Sequence, residues 1–74
     1  MKKRIFTKHN KAIDVGGLRL ISPISHQIIG YIGVNFFNLT YTGSATHQVA
    51  GFSSKEEAEE CRTSLIKFWE EYVK

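Results

Sequence analysis

Residues 53–74 read SSKEEAEECRTSLIKFWEEYVK, and this stretch decides the fold. Its apolar residues recur at spacings of three and four, which is the period of one face of an α-helix. These residues are Ala58, Cys61, Leu65, Phe68 and Tyr72, with Ile66, Trp69 and Val73 widening the stripe. The spacing predicts an amphipathic helix from Ser53 to Lys74 that packs one face onto the residues before it.

The start of this helix matches a capping box, Ser53-Ser54-Lys55-Glu56. We expect the Ser53 hydroxyl to accept a hydrogen bond from the Glu56 amide, and the Glu56 carboxylate to accept one from the Ser53 amide. Further glutamates follow in the next turn, close to the positive end of the helix dipole. We therefore assign the glutamates to helix capping rather than to acid/base catalysis.

The residues before the helix alternate between apolar and polar, which is typical of strands. Turn signals at residues 14–17 and 22–25 enclose a strand from Leu18 to Ile21. A longer strand is predicted from His26 to about Phe36, with Ile28 and Ile32 on the same face. The alternation changes phase near Asn35 to Phe37, which predicts a β-bulge there.

A three-residue loop, Gly43-Ser44-Ala45, connects the last two predicted strands. It sets Tyr41 opposite His47 and Leu39 opposite Val49, which keeps apolar residues together.

The order of these elements predicts an α+β fold. It is a small antiparallel β-meander of three to four strands, followed by one C-terminal amphipathic helix packed on one face. With 74 residues the chain forms a single domain, residues 1–74. We divide it into a basic arm (1–11), a sheet (12–52) and the helix (53–74).

Charge is unevenly distributed along the chain, although the net charge is only +3. Residues 1–20 carry six basic residues against Asp14, residues 21–52 carry no Asp, Glu, Lys or Arg, and residues 53–74 are acidic overall. The basic arm is either a solvated terminus or a segment that contacts phosphates. The uncharged middle is either an ordinary exposed face or a face that meets a partner, where charge is depleted.

The candidate binding residues combine the basic residues with aromatic residues of the sheet. An aromatic face beside a basic arm is typical of nucleic-acid binding, and it is equally typical of a protein interface. The candidates are Lys2, Lys3, Arg4, Lys8, Lys11, Arg19, Tyr31, Phe37 and Tyr41.

The sequence does not indicate an enzyme. His9, His26 and His47 are too far apart to match a zinc motif, and the glycines do not form a phosphate-binding loop. Cys61 falls on the apolar stripe of the helix, where a core cysteine is expected. We expect no catalytic residue, no metal and no cofactor.

A single cysteine and the lack of an apolar signal segment predict a cytoplasmic protein. The longest apolar run, residues 28–34, is far too short to span a bilayer, so we expect no membrane partner.

Residues 47–60, HQVAGFSSKEEAEE, resemble the strand-to-helix step in the DNA target-recognition tail of some adenine-specific restriction–modification enzymes. Residues 4–8 and 20–23 are similar to earlier strands of that tail. Residues 31–34, together with the Phe52-x-x-x-Glu56-Glu57-Ala58 pattern, resemble the first strand and helix start of AP2 and integrase-arm domains. Both resemblances imply a DNA-binding module.

These observations leave three hypotheses for the function. The chain is a small non-catalytic module that binds DNA through its basic arm and its neutral aromatic sheet face. Alternatively, it is a phage- or mobile-element-type inhibitor or modulator that binds a host protein. The third hypothesis is a homodimer held by the outer sheet face or by an edge strand.

Overall fold

The computed structural model describes residues 3–74, so the predicted binding residue Lys2 lies outside the described residues. The predicted α+β class is confirmed, because antiparallel strands precede one helix that packs against them. The elements are β1 (Ile5–Lys8), β2 (Lys11–Asp14), β3 (Leu18–Ile21), β4 (Ser25–Ile29), β5 (Ile32–Tyr41), β6 (Thr46–Val49) and α1 (Lys55–Val73).

Strand β5 is the centre of the sheet, because β3, β4 and β6 all pair with it in antiparallel orientation. Strand β4 pairs with the first half of β5, and β3 and β6 pair with its second half. Strands β1 and β2 form a separate two-stranded hairpin. The Thr42 amide donates to the Gly17 carbonyl at 2.9 Å, which ties the turn between β2 and β3 to the end of β5.

The predicted single strand from His26 to Phe36 is wrong, because two strands meet there in a two-residue loop, Gly30-Tyr31. Gly30 has a φ of +65°, which the first position of a type II′ turn requires and glycine adopts without strain. The surrounding run of apolar residues conceals this loop in the sequence.

The loop also changes which residues share a face. Ile29 is the cross-strand partner of Ile32, and Ile28 is the partner of Gly33. Since directly opposed residues point to the same side of a sheet, Ile28 and Ile32 lie on opposite faces, contrary to the prediction. The register irregularity lies in β3, between Leu18 and Leu20, rather than near Asn35 to Phe37.

The β5–β6 register differs from the prediction by two residues. Val49 lies opposite Phe37 instead of Leu39, and the Tyr41 amide donates to the Ala45 carbonyl at 2.8 Å. The three-residue loop is therefore 42–44, one position earlier than predicted. The shift places Phe37 and Val49 side by side in the core, and it leaves each residue on its predicted face because the period of a strand is two.

Most of the predicted basic arm is folded rather than free. Residues 5–14 form the β1–β2 hairpin, whose loop residues His9 and Asn10 both have positive φ, as a type I′ turn requires. Phe6 and Ile13 are buried cross-strand partners, so the predicted boundary at residue 11 is wrong. The Phe6 ring meets Phe68 of the helix edge-on, with centroids 5.5 Å apart.

The core lies between the sheet and the helix. The helix contributes Ala58, Cys61 and Leu65, all fully buried, as its apolar stripe predicted. Phe68, Trp69, Ile66 and Tyr72 are partly buried and pack against this core, whereas Val73 is exposed.

The helix cap is shifted by one residue from the predicted capping box. Ser54 is the N-cap, and its hydroxyl accepts from the Glu57 amide at 3.2 Å. The Glu57 carboxylate in turn accepts from the Ser53 amide at 3.0 Å. Two overlapping Ser-x-x-Glu frames exist in the sequence, and the helix begins in the second one.

Candidate functional site

Arg4 is engaged by an acidic residue of its own hairpin. Its Nε donates to Asp14 Oδ1 at 2.7 Å, and the Gly16 amide donates to the same oxygen at 2.7 Å. Both hydrogen bonds lower the pKa of Asp14, and the one from Arg4 has the larger effect. The carboxylate in turn raises the pKa of Arg4. The positive charge of Arg4 is therefore balanced within the chain.

The loop of the β1–β2 hairpin sits against the acidic start of the helix. Lys8 Nζ lies 3.3 Å from Glu60 Oε1, and this contact is the main cause of the lowered pKa of Glu60. The His9 ring faces two carboxylates, with Nδ1 at 3.5 Å from Glu57 and Nε2 at 3.4 Å from Glu60. The glutamates at the start of the helix thus have two roles: they cap the helix, and they contact the basic side chains of the β1–β2 hairpin loop.

The remaining predicted cations among residues 3–74 differ in their contacts. Lys11 Nζ lies 5.3 Å from the centroid of the Phe52 ring, a cation–π distance. Lys3 and Arg19 are exposed and make no ion pair within residues 3–74. The predicted cations among residues 3–74 therefore divide into Arg4, Lys8 and Lys11, which have contacts within the chain, and Lys3 and Arg19, which are exposed.

Two of the three predicted aromatic residues are turned inward. Phe37 is 0 % exposed and stacks on Phe52 at 5.9 Å, so its prediction as a binding residue is wrong. Tyr41 packs against the core and donates from its hydroxyl to the Asp14 carbonyl at 2.6 Å, which connects the sheet to the β1–β2 hairpin. Tyr41 is thus only partly exposed, and its role as a binding residue stays a prediction. Partial burial raises the pKa of its hydroxyl.

Tyr31 is fully exposed, and it belongs to a surface that the prediction missed. We call residues 25–36 the projecting hairpin. All five residues of β4 are exposed, and Ile28, Ile29 and Ile32 are 69 %, 60 % and 69 % exposed. Over both faces of the hairpin, these isoleucines and the neighbouring tyrosine leave on the order of 500 Å² of apolar side chain in water.

The projecting hairpin carries no charged residue, since none occurs between Arg19 and Lys55. Its conformation is fixed by neutral contacts. His26 Nδ1 lies 3.1 Å from Asn35 Oδ1, and the His26 ring covers Gly33 so closely that a Cβ there would lie 2.8 Å from Cε1. The hairpin therefore presents an ordered, uncharged and largely apolar end.

The part of the chain that the structure describes also has clefts, one of them lined by Ala12, Ile13, Asp14, Gly16, Tyr41 and His47. A cleft of about 390 Å³ lies between Pro23-Ile24 and the helix, but its charged walls are already engaged. Arg62 Nε donates to the Ser22 carbonyl at 2.7 Å, and Lys55 lies 3.9 Å from Glu59.

In the part of the chain that the structure describes, no three His, Cys, Asp or Glu side chains are grouped to hold a metal ion. Cys61 is fully buried, and desolvation raises the pKa of its thiol, which opposes formation of a nucleophilic thiolate. No helix among residues 3–74 combines the length and apolarity needed to cross a membrane.

Comparison with known proteins adds no relative. No family model matches the chain, and neither a curated protein nor a solved structure matches it. The resemblances to DNA-recognition tails and to AP2 and integrase-arm domains stay predictions.

Proposed function

We propose that this chain is a non-catalytic protein-binding module and that the projecting hairpin is its contact surface. One observation carries the proposal: Ile28, Ile29, Tyr31 and Ile32 expose their apolar side chains together at the end of a hairpin that has no charge. Large apolar side chains exposed together on a small domain are a common mark of an interaction site.

The chemistry of the hairpin suits a protein interface. The centre of such an interface is depleted of charged residues, and tyrosine is enriched among the residues that contribute most to affinity. Burying an exposed isoleucine contributes roughly 1.5–3 kcal/mol. Tyr31 would act as the central anchor, with Ile29 and Ile32 beside it on the outer face.

The rest of the fold holds the hairpin in place and is not part of the proposed contact surface. Strand β5 runs from the exposed hairpin into the core, where Phe37 and Leu39 are fully buried. The hairpin is thereby fixed to a packed body, and little conformational entropy is lost when it docks. A role as a modulator or inhibitor of a larger host protein fits such a rigid, projecting element.

DNA binding is the competing hypothesis, and the internal contacts of the basic residues weigh against it. Arg4 is hydrogen-bonded to Asp14, and Lys8 is paired with Glu60. A phosphate would have to displace these carboxylates. If DNA binding occurs, its affinity should fall steeply with salt, because each neutralised phosphate releases counterions.

The test is a comparison of immobilised variants in lysate from the cells that produce the protein. Ile32→Lys places a charge on the projecting hairpin, and Val73→Lys places the same charge on an exposed apolar residue of the helix end. We expect the wild type and Val73→Lys to retain the same protein in stoichiometric amount, and Ile32→Lys to retain at least about tenfold less.

Two results would count against protein binding. One is equal retention of every captured protein by Ile32→Lys and the wild type. The other is retention of duplex or single-stranded DNA at low salt by the wild type, with no stoichiometric protein.

A further inference from the structure

We infer that the open edge of β4 pairs with β4 of a second copy of this chain, forming a two-fold dimer. The inference rests on the proposed function, because it takes the projecting hairpin as a protein-contact surface and names the partner of its edge. The end of the hairpin, at Tyr31, stays available to a different protein.

Strand β4 has an unprotected edge. It pairs with β5, and the structure places no other strand beside it within residues 3–74. Natural sheets protect such edges with lysine, proline, a bulge or a covering segment, because the unpaired backbone groups can accept another strand. Ser25–Ile29 contains neither a charge nor a proline, and all five residues are exposed.

The backbone of β4 presents hydrogen-bonding groups outward. Ile29 and Ile32 close a two-residue loop, and the closing pair of such a loop is hydrogen-bonded. Since this pattern alternates along an antiparallel pair, Gln27 and Ser25 also bond to β5. The amides and carbonyls of His26 and Ile28 therefore lie on the open edge.

Charge favours a second copy as the partner. The net charge of +3 comes from the basic residues 1–20, so two copies that approach through this segment repel each other. The projecting hairpin is the part of the molecule where two copies can meet without placing like charges opposite each other. A two-fold interface must be complementary to itself, and a neutral strand meets that condition.

An antiparallel pairing centred on Gln27 uses the whole strand. It places Gln27 opposite the same residue of the second copy, His26 opposite Ile28, and Ser25 opposite Ile29. All five residues of each strand are then paired, and the four outward backbone groups on each strand find partners.

The pairing also explains why both faces of the hairpin carry isoleucine. Ile28 lies on one face, and Ile29 and Ile32 lie on the other. A partner that docks on a single face covers residues of that face alone. A continued sheet instead places Ile28 beside His26 of the second copy on one face, and Ile29 beside Ser25 of the second copy on the other face.

The experiment measures mass against concentration by sedimentation equilibrium, with hydrogen exchange on the same samples. We expect the mass to rise from 8.4 kDa toward twice that value between micromolar and millimolar concentration. The His26 and Ile28 amides should exchange at least tenfold more slowly at the high concentration. Ile28→Lys should weaken the dimer at least tenfold, whereas Ile5→Lys, a matched exposed isoleucine on β1, should not.

Three results would overturn the dimer. These are a mass of 8.4 kDa at every concentration, a dimer that Ile28→Lys leaves intact, and a dimer in which the His26 and Ile28 amides are not protected. Circular dichroism of each variant confirms that it is folded.

The proposed function is decided separately from the dimer. A monomer whose Ile32→Lys variant loses a captured protein keeps the proposed function and rejects the dimer. A dimer that captures no other protein keeps the dimer and rejects the proposed function.

Discussion

Ile29 and Ile32 face each other across the last pair of the β4–β5 hairpin, and more than half of each side chain is exposed to solvent. Strand β5, which begins at Ile32, also carries Phe37 five residues further on, and Phe37 is completely buried. Strand β5 thus has one end whose side chains are exposed to solvent and one end that contributes to the core.

This division predicts unequal effects on stability. Phe37→Ala should lower the free energy of unfolding by about 3–5 kcal/mol, because it removes a large buried side chain and leaves a cavity. Ile32→Ser should change it by about 0.5 kcal/mol or less, since the side chain contacts little. Urea unfolding followed by the fluorescence of Trp69, the single tryptophan, measures both. Similar losses at the two positions would show that the hairpin is part of the core.

The helix cap predicts a difference between two neighbouring serines. Ser54→Ala should cost about 1 kcal/mol, because the Glu57 amide loses the hydroxyl that accepts its hydrogen bond. Ser53→Ala should cost only a few tenths of that value, since Ser53 contributes its backbone amide and keeps it. Thermal unfolding of the two variants compares them directly. A larger effect at Ser53 would restore the cap frame expected from the sequence.

Acid stability should depend on Asp14. Its folded-state pKa is lowered from the ordinary value of 3.8, so the unfolded chain binds the proton more readily. The stabilisation is therefore present above pH 3.8 and is lost as the pH falls through the folded-state pKa. Asp14→Asn should remove this part of the pH dependence, as measured by unfolding free energies from pH 7 downward. An unchanged pH profile would mean that the Arg4 contact does not persist in solution.

The Cys61 thiol should be unreactive in the folded protein. It is fully buried, and desolvation raises its pKa, so little thiolate is available or accessible. A thiol-specific chromogenic reagent at pH 8 should modify it on the timescale of unfolding, and at once in concentrated urea. Rapid modification of the folded chain would instead indicate an accessible and activated cysteine.

The helix and the fold class follow from the sequence because the apolar stripe from Ala58 to Tyr72 repeats through several turns. A long periodic pattern has few alternative structures. The cap was placed one residue early, because Ser53 and Ser54 both begin a Ser-x-x-Glu frame. The spacing alone does not distinguish them.

The hairpins were harder to predict because short loops leave a weak signal. Gly30 lies inside an apolar run, where a glycine is compatible with one continuous strand as well as with a turn. In the basic arm, the many charged residues suggest an exposed segment. Phe6 and Ile13 are nevertheless buried, and their burial defines the β1–β2 hairpin.

The candidate site was predicted in part. Tyr31 was selected as an aromatic residue, but its exposed isoleucine neighbours were not, because isoleucine in a strand is usually assigned to a core. Phe37 is a candidate for the same reason as Tyr31, but Phe37 lies in the buried part of β5, whereas Tyr31 lies in the exposed loop before this strand. A sheet residue is exposed if it lies beyond the end of the helix that covers the sheet. This position depends on tertiary packing, and the local sequence pattern does not contain it.

Site-specific photo-cross-linking in the cells that produce the protein tests the central claim most directly. A photoreactive phenylalanine analogue replaces Tyr31 in one variant and Val73 in a matched control, since both side chains are exposed. We predict a covalent adduct with one defined protein from position 31 and no such adduct from position 73. The absence of an adduct at position 31, or the same adducts at both positions, would contradict the claim that the projecting hairpin is the contact surface.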